Sequence, residues 1–155
     1  MNNKPLITLF EENELNIAAL YSLYAQQFPE QQKFWDKLSN EEIGHAAQIG
    51  TQRSNEGAIA ENKFSSSVIH YLMDYVLTET QKAQQEKLTH HSALLTALRI
   101  EQSMLEKKCF DLFTPTNETV KAVFDRLNRD TQQHVEALLR EMKKNKFSFE
   151  EVAEQ

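Results

Sequence analysis

Phe34, Leu38, Glu42, His45 and Ile49 recur at steps of three and four, which places all five on one face of a helix. Such a face is buried in a folded chain, yet this one carries a carboxylate and an imidazole at its centre. An ionised carboxylate in an apolar seam is costly unless it is paired or binds a metal. The remaining helices must therefore supply partners for Glu42 and His45 at the same depth. That requirement constrains the fold more tightly than any other feature of the chain.

Long helices are what the composition favours. Only three Gly and three Pro occur in 155 residues, so few breaks interrupt the chain. With 40% hydrophobic and 26% charged residues, it reads as one helical domain large enough to bury a core. A net charge of −6 argues against nucleic acid or an anionic membrane as partner. Cys109 is the one cysteine, which allows no internal disulfide and no Cys-x-x-Cys metal ribbon and fits a reducing cytoplasm. No apolar run reaches transmembrane length, and Met1-Asn2-Asn3-Lys4 does not read as a signal peptide, so a cytoplasmic location is expected.

Five helical stretches follow from the periodicity. The first is expected from Pro5 to about Phe28, with the seam Phe10, Glu14, Ile17, Tyr21, Tyr24 and Phe28. Its neighbours Glu11, Glu12 and Asn13 read as solvated. Pro29 punctuates the chain, and a second helix runs from about Glu30 to Ser54. Gly44 inside it is either tolerated or leaves room for a ligand or a neighbouring backbone. Asn55 to Lys63 reads as a loop. Ser65 to Ser67 can cap a third helix, from about Ser66 to Lys87, with the stripe Ile69, Leu72, Met73, Val76 and Thr80. This stripe has no ionisable centre, which suits a crossover between two helical hairpins, and His70 lies off it.

Thr89 can cap the fourth helix, expected to run to about Phe113, with His90 and His91 solvated in its first turn. Its seam is Leu94, Ala97, Leu98, Glu101, Leu105, Lys108 and Leu112, with Lys108 snorkelling to the edge. Thr114 to Asn117 reads as a turn. The last helix, about Glu118 to Asn145, has the seam Val120, Phe124, Leu127, Thr131, His134, Leu138 and Met142. Residues 1–146 thus form the bundle. Residues 147–155 form a tail, read either as a last helical turn or as a segment packed on a partner.

Each short turn makes its two helices antiparallel neighbours, so residues equally far from the turn share a height. Glu14 and Glu42 lie fourteen residues either side of Phe28, and Glu101 and Thr131 lie fifteen either side of Thr116. The chain is a two-fold repeat: Glu then Glu-x-x-His, followed by Glu then Thr-x-x-His. The halves are offset by 87 residues at the first Glu and 89 at the His, a close register. Glu-x-x-His is the ligand unit of carboxylate-bridged metal bundles.

On these residues the chain resembles the ferritin-like superfamily of four-helix bundles with a carboxylate-bridged di-iron centre, and in particular the rubrerythrin di-iron domain. The likeness rests on Glu14-x-x-Ile17-x-x-x-Tyr21, on Glu42-x-x-His45-Ala46, and on Glu101 and His134, and it covers roughly Leu6 to Met142. It implies an all-α, antiparallel four-helix bundle with a helical crossover between the hairpins. It further implies that Glu14 and Glu101 are terminal metal ligands, that Glu42 is a bridging carboxylate, and that His45 and His134 each ligate one metal. The second bridging carboxylate would stand at Thr131. Asp130 is adjacent, but lies about 100° round the helix and would need a distortion to replace it. Met104 stands where some members carry a further Glu.

Three carboxylates against two ferrous ions leave a net positive charge, so either one ion or a pair with one weak position is expected. Mixed Glu and His ligation admits iron, manganese or zinc. Three functions follow as expectations: a rubrerythrin-like oxidoreductase acting on peroxide and served by a separate electron donor, a non-catalytic metal-binding module, or a metal-free structural or interaction bundle whose Glu and His pair with each other. Glu41 reads as a surface neighbour whose loss leaves metal binding intact. Tyr21 and Tyr24 read as core residues, or as hydrogen-bonding supports or radical traps beside a ligand carboxylate. Bundles of this type commonly pair, so a homodimer is expected, with His70 to Tyr75 as a possible contact.

Overall fold

Pro29 cannot donate the amide hydrogen bond that would continue the first helix, and the chain turns there. In the computed structural model, which describes residues 4–54, 59–60, 63–106, 114–115 and 118–149, α1 spans Leu6–Gln27 and a single 3-10 turn follows at Pro29–Gln31. Then come α2 (Gln32–Gly50), β1 (Ile59–Ala60), α3 (Lys63–Gln85), α4 (His90–Glu106), β2 (Thr114–Pro115) and α5 (Glu118–Lys144). The described fold is helical, and no helix among the described residues is long and apolar enough to cross a membrane.

Several boundaries differ from the sequence reading. Pro5 is the N-cap of α1 rather than its first residue, and its carbonyl accepts from Leu9 N at 3.0 Å. The second helix stops at Gly50, and residues 51–54 turn instead of extending it. The third begins at Lys63, before the serines expected to cap it. Thr114 and Pro115 form no isolated turn but pair antiparallel with Ala60 and Ile59, which ties the α2–α3 connection to the α4–α5 connection. Lys108, Cys109 and Leu112 lie outside the described residues.

Thr89 does cap α4. Its Oγ1 accepts from Ser92 N at 3.0 Å, while Ser92 Oγ accepts from Thr89 N at 3.3 Å, the reciprocal arrangement of a capping box. The turn into α4 is held by Gln27 of α1, which donates to the Ala83 and Glu86 carbonyls and accepts from Leu88 N. One glutamine amide therefore ends α3 and sets the start of α4.

α1 packs along both α2 and α3, and α4 packs along α5. This explains why α1 buries two stripes rather than one. Its expected seam is buried, but so are Ile7, Leu20 and Asn13, and Asn13 was expected in solvent. In α2 the fully buried aromatic is Trp35, while Phe34 is half-buried. Trp35 packs on Tyr21 and Tyr24, with ring centroids 5.6 and 4.8 Å away.

His90 is a second correction. It is buried rather than solvated, because Phe28, Phe34, Trp35 and Phe147 surround it. Trp35 Nε1–H donates to His90 Nδ1 at 3.1 Å, and an indole nitrogen can only donate. His90 must then carry its hydrogen on Nε2, which lies 3.3 Å from Glu141 Oε1. Burial pushes this imidazole below its ordinary pKa, with Glu141 opposing.

The start of the tail closes the same end of the molecule. Lys146 adopts φ 58°, Phe147 N bonds Met142 O at 3.0 Å and Lys146 N bonds Lys143 O at 3.1 Å. This is a Schellman motif with lysine where glycine is usual. It turns Phe147 onto His91 at 4.5 Å and brings the Ser148 carbonyl to His91 Nε2 at 2.7 Å.

Candidate metal centre

The five residues singled out from the seams converge. Glu14 comes from α1, Glu42 and His45 from α2, Glu101 from α4 and His134 from α5, and their exposures are 1, 2, 5, 1 and 2%. They fall into two triads, Glu14 with Glu42 and His45, and Glu42 with Glu101 and His134. Within each triad one ligand atom per residue lies within 4.8 Å of the others. An ion with ligands at about 2.1 Å holds them at most about 4.2 Å apart, so each triad needs only a small contraction to close on one ion. Glu42 belongs to both.

The imidazoles are oriented for this. His134 Nδ1 lies 2.9 Å from Glu42 Oε1 and 3.4 Å from Glu101 Oε1, yet this buried nitrogen has no aligned hydrogen bond. It faces the carboxylates without pointing along a bond to either. His45 Nδ1 likewise lies 3.5 Å from Glu42 Oε2, and the two rings stack 5.3 Å apart. Inward-facing nitrogens among hard carboxylate oxygens form a donor set suited to a divalent first-row metal.

The outward nitrogens show what the sequence reading missed. His134 Nε2 is hydrogen-bonded to Glu41 Oε2 at 3.0 Å, and His45 Nε2 lies 3.3 Å from Asp130 Oδ2. Glu41 is therefore no idle surface neighbour, although its side chain is 40% exposed. Asp130 is not among the inward-facing carboxylates; it reaches His45 from outside. A carboxylate behind a ligating histidine fixes its tautomer and raises its basicity. The signal was present in the repeat, since an acid precedes both Glu42 and Thr131. Each half's acid supports the other half's histidine, a crossing that helix periodicity alone does not reveal.

Tyr21 donates to Glu101 Oε1 at 2.9 Å from a fully buried position, so it is the tyrosine that reaches the centre. Tyr24 packs instead among Trp35 and Phe28. Thr131 is buried, and its Oγ1 donates to the Leu127 carbonyl at 2.8 Å, one turn back along α5. Met104 is buried. No neighbouring backbone uses the space at Gly44: a Cβ there would meet nothing within 4 Å.

The charges are strongly coupled. Burial works to raise the Glu42 carboxyl, but the close approach of Glu14, His134 and His45 outweighs it and holds Glu42 well below the usual range. Burial and the Glu42 charge push Glu101 up to about 7, against His134 and Tyr21. Burial opposes protonation of His134, yet Glu101 and Glu42 drive it up to about 11. His45 is raised as well, with burial opposing and Glu42 favouring the cation. Tyr21 is raised by burial and then by Glu101 and Glu42, so it stays a donor.

Comparison with family models, with curated proteins and with solved structures returns no match.

Proposed function

We propose that this chain is a metal-binding protein of the ferritin-like, rubrerythrin-type class. In this reading α1, α2, α4 and α5 form the antiparallel four-helix bundle and α3 is the crossover. The centre takes two divalent ions, iron before manganese or zinc, with Glu42 between them. The observation that carries the reading is that Glu42 belongs to two buried triads, each with its own glutamate and its own inward imidazole nitrogen. Glu14, Glu42 and His45 would hold one ion, and Glu42, Glu101 and His134 the other.

Bound iron would supply the two electrons that reduce a peroxide to water. The chain's part is to hold the ligands and exclude bulk water. Glu41 and Asp130 orient the imidazoles. Tyr21 keeps the Glu101 carboxylate in place through its hydrogen bond. Electrons would return from a separate donor.

A metal-free structural bundle is the second reading, and one observation favours it: the imidazoles already have carboxylate neighbours, with His134 touching Glu41, Glu42 and Glu101. Metal analysis of anaerobically purified protein separates the two. Two ions per chain, the second held more weakly, support the proposal, and peroxide-dependent oxidation of bound Fe(II) supports the oxidoreductase. An empty protein whose melting temperature ignores added Fe(II) and Mn(II) overturns it in favour of the structural bundle.

A further inference from the structure

His90 makes a contact that only one of its charge states permits. Trp35 Nε1–H donates to His90 Nδ1 at 3.1 Å, and Trp35 is fully buried with Tyr21, Tyr24 and Phe34 packed on its ring. An indole nitrogen only donates, and a protonated imidazole carries a hydrogen on both of its nitrogens. Protonating His90 therefore sets two N–H groups against each other and leaves both unpaired in an apolar pocket, where such a loss is costly. His90 is also the first residue of α4, where the positive end of the helix dipole disfavours a cation.

The groups that face the ring determine which side yields. From α1 and α2 it meets Phe28, Phe34 and Trp35. The charged groups come from α5: Glu141, whose Oε1 lies 3.3 Å from His90 Nε2 and also accepts from Asn145 Nδ2 at 3.0 Å, and Lys144 at longer range. Burial opposes the cation, Glu141 favours it and Lys144 opposes it, so His90 titrates below its ordinary 6.5. The remaining neighbour is Phe147, 6.1 Å away between ring centroids, on the strap that Lys146 turns back from the end of α5. The strap's other anchors are on His91, through the ring stack at 4.5 Å and the Ser148 carbonyl at 2.7 Å from Nε2. That carbonyl only accepts, and His91 Nε2 donates to it in either charge state. Trp35 is locked among three other rings, whereas the strap is held from one side, so the strap is the neighbour that gives way.

We propose that His90 is a proton-operated latch: protonation at Nδ1 breaks its bond to Trp35, turns the imidazole away from the indole, and frees the strap at Phe147 and Ser148 from the first turn of α4. The step moves one proton from solvent to Nδ1 and leaves every covalent bond of the heavy atoms in place. Neutral pH is the latched state and acidification the trigger. The latch goes beyond the metal-binding reading and does not depend on it, since none of its residues belongs to the buried cluster of acids and imidazoles.

Trp35 is the chain's single tryptophan, so intrinsic fluorescence reports from this site. The full chain, without added metal, is titrated from about pH 8 to about pH 4.5, the range in which a histidine changes charge. Trp35 fluorescence is followed together with the NMR signals of the His90 ring and of the Phe147 and Ser148 amides. In the wild type all of these are expected to change with one midpoint below 6.5, the two strap amides moving to unfolded-peptide positions while those of α5 up to Leu138 stay in place. His90→Gln keeps an acceptor for Trp35 and a donor for Glu141 but does not titrate, and its strap signals are expected to stay flat over the same range. Glu141→Gln, which tests the same point if the first variant does not fold, is expected to lower the shared midpoint by roughly 1 pH unit, because it removes the charge that favours the cation. Strap amides that keep their folded positions after His90 is protonated overturn the latch, as does a His90 that stays neutral until the whole chain unfolds. Release at the wild-type midpoint in either variant assigns the transition to another group and overturns it equally.

Discussion

Replacing Glu41 by alanine tests whether the acids outside the centre matter. The Glu41 carboxylate accepts from His134 Nε2 at 3.0 Å and stands at the outer side of an imidazole whose other nitrogen faces Glu42 and Glu101. Without it the ring can rotate, and its inward nitrogen becomes a weaker base. Losing such a support typically costs 10–100-fold in metal affinity, or roughly 1.4–2.7 kcal/mol. Because the Glu41 side chain is 40% exposed, water will replace part of the bond, which places the expected loss near the lower limit, about tenfold. Glu41→Gln keeps an acceptor but not the charge and should fall between wild type and alanine. The assay is competition between the protein and a chromophoric chelator for Co(II) or Zn(II), with Asn40→Ala as an exposed control on the same helix. The second, tighter-held property to follow is stoichiometry: only the ion on His134 should weaken. An affinity for both ions within twofold of wild type would refute the idea that Glu41 orients His134, and would restore the expectation that it is a bystander.

Other outcomes follow from the same geometry. Glu42→Ala breaks both triads and should remove most metal binding by equilibrium dialysis; retention of either ion at wild-type affinity would count against the shared carboxylate. Gly44→Ala should stabilise the protein by up to about 1 kcal/mol in urea unfolding, because its Cβ enters open space on a helix, and a destabilised variant would show that the glycine is needed. Lys146→Gly should also stabilise, by roughly 1 kcal/mol, since it relieves a left-handed residue at φ 58°; an unchanged unfolding midpoint would contradict the Schellman geometry. For metal-free protein the pH dependence has a definite sign. His134, raised to about 11, and Glu101, raised to about 7, give stability that is full below their unfolded values and lost as pH climbs through the folded ones. Glu42 is lowered, so its contribution is lost as pH falls. Metal-free stability should therefore peak at mildly acidic pH, about 5–6, whereas metal-loaded protein should gain stability toward neutral pH as the histidine gives up its proton. A melting-temperature profile that is flat from about pH 5 to 9 without metal would contradict the coupled cluster.

Helix periodicity carried the fold a long way. The seam of α1 from Phe10 to Phe28 and the seam of α5 from Val120 to Met142 are buried residue for residue. This follows because a 3.6-residue repeat converts spacing directly into a shared face. The repeat about the two turns brought Glu14, Glu42, His45, Glu101 and His134 to one level, because antiparallel neighbours of equal rise keep register. Spacing alone could not say how wide a buried face is. Asn13 lies off the α1 seam and is buried because α3 covers a second stripe, and His90 is buried because Trp35, Phe28 and Phe147 come from three separate segments.

From the residue order alone came the helices, their inward faces and the acids and imidazoles placed on them, since these depend on interactions between near neighbours along the chain. Only the tertiary structure decided that Glu41 supports His134, that Asp130 supports His45, and that Thr131 turns its hydroxyl onto its own helix. Those contacts depend on the rotation of one helix against another and on which rotamer each side chain adopts. Packing of the whole core sets both, and no local pattern encodes them.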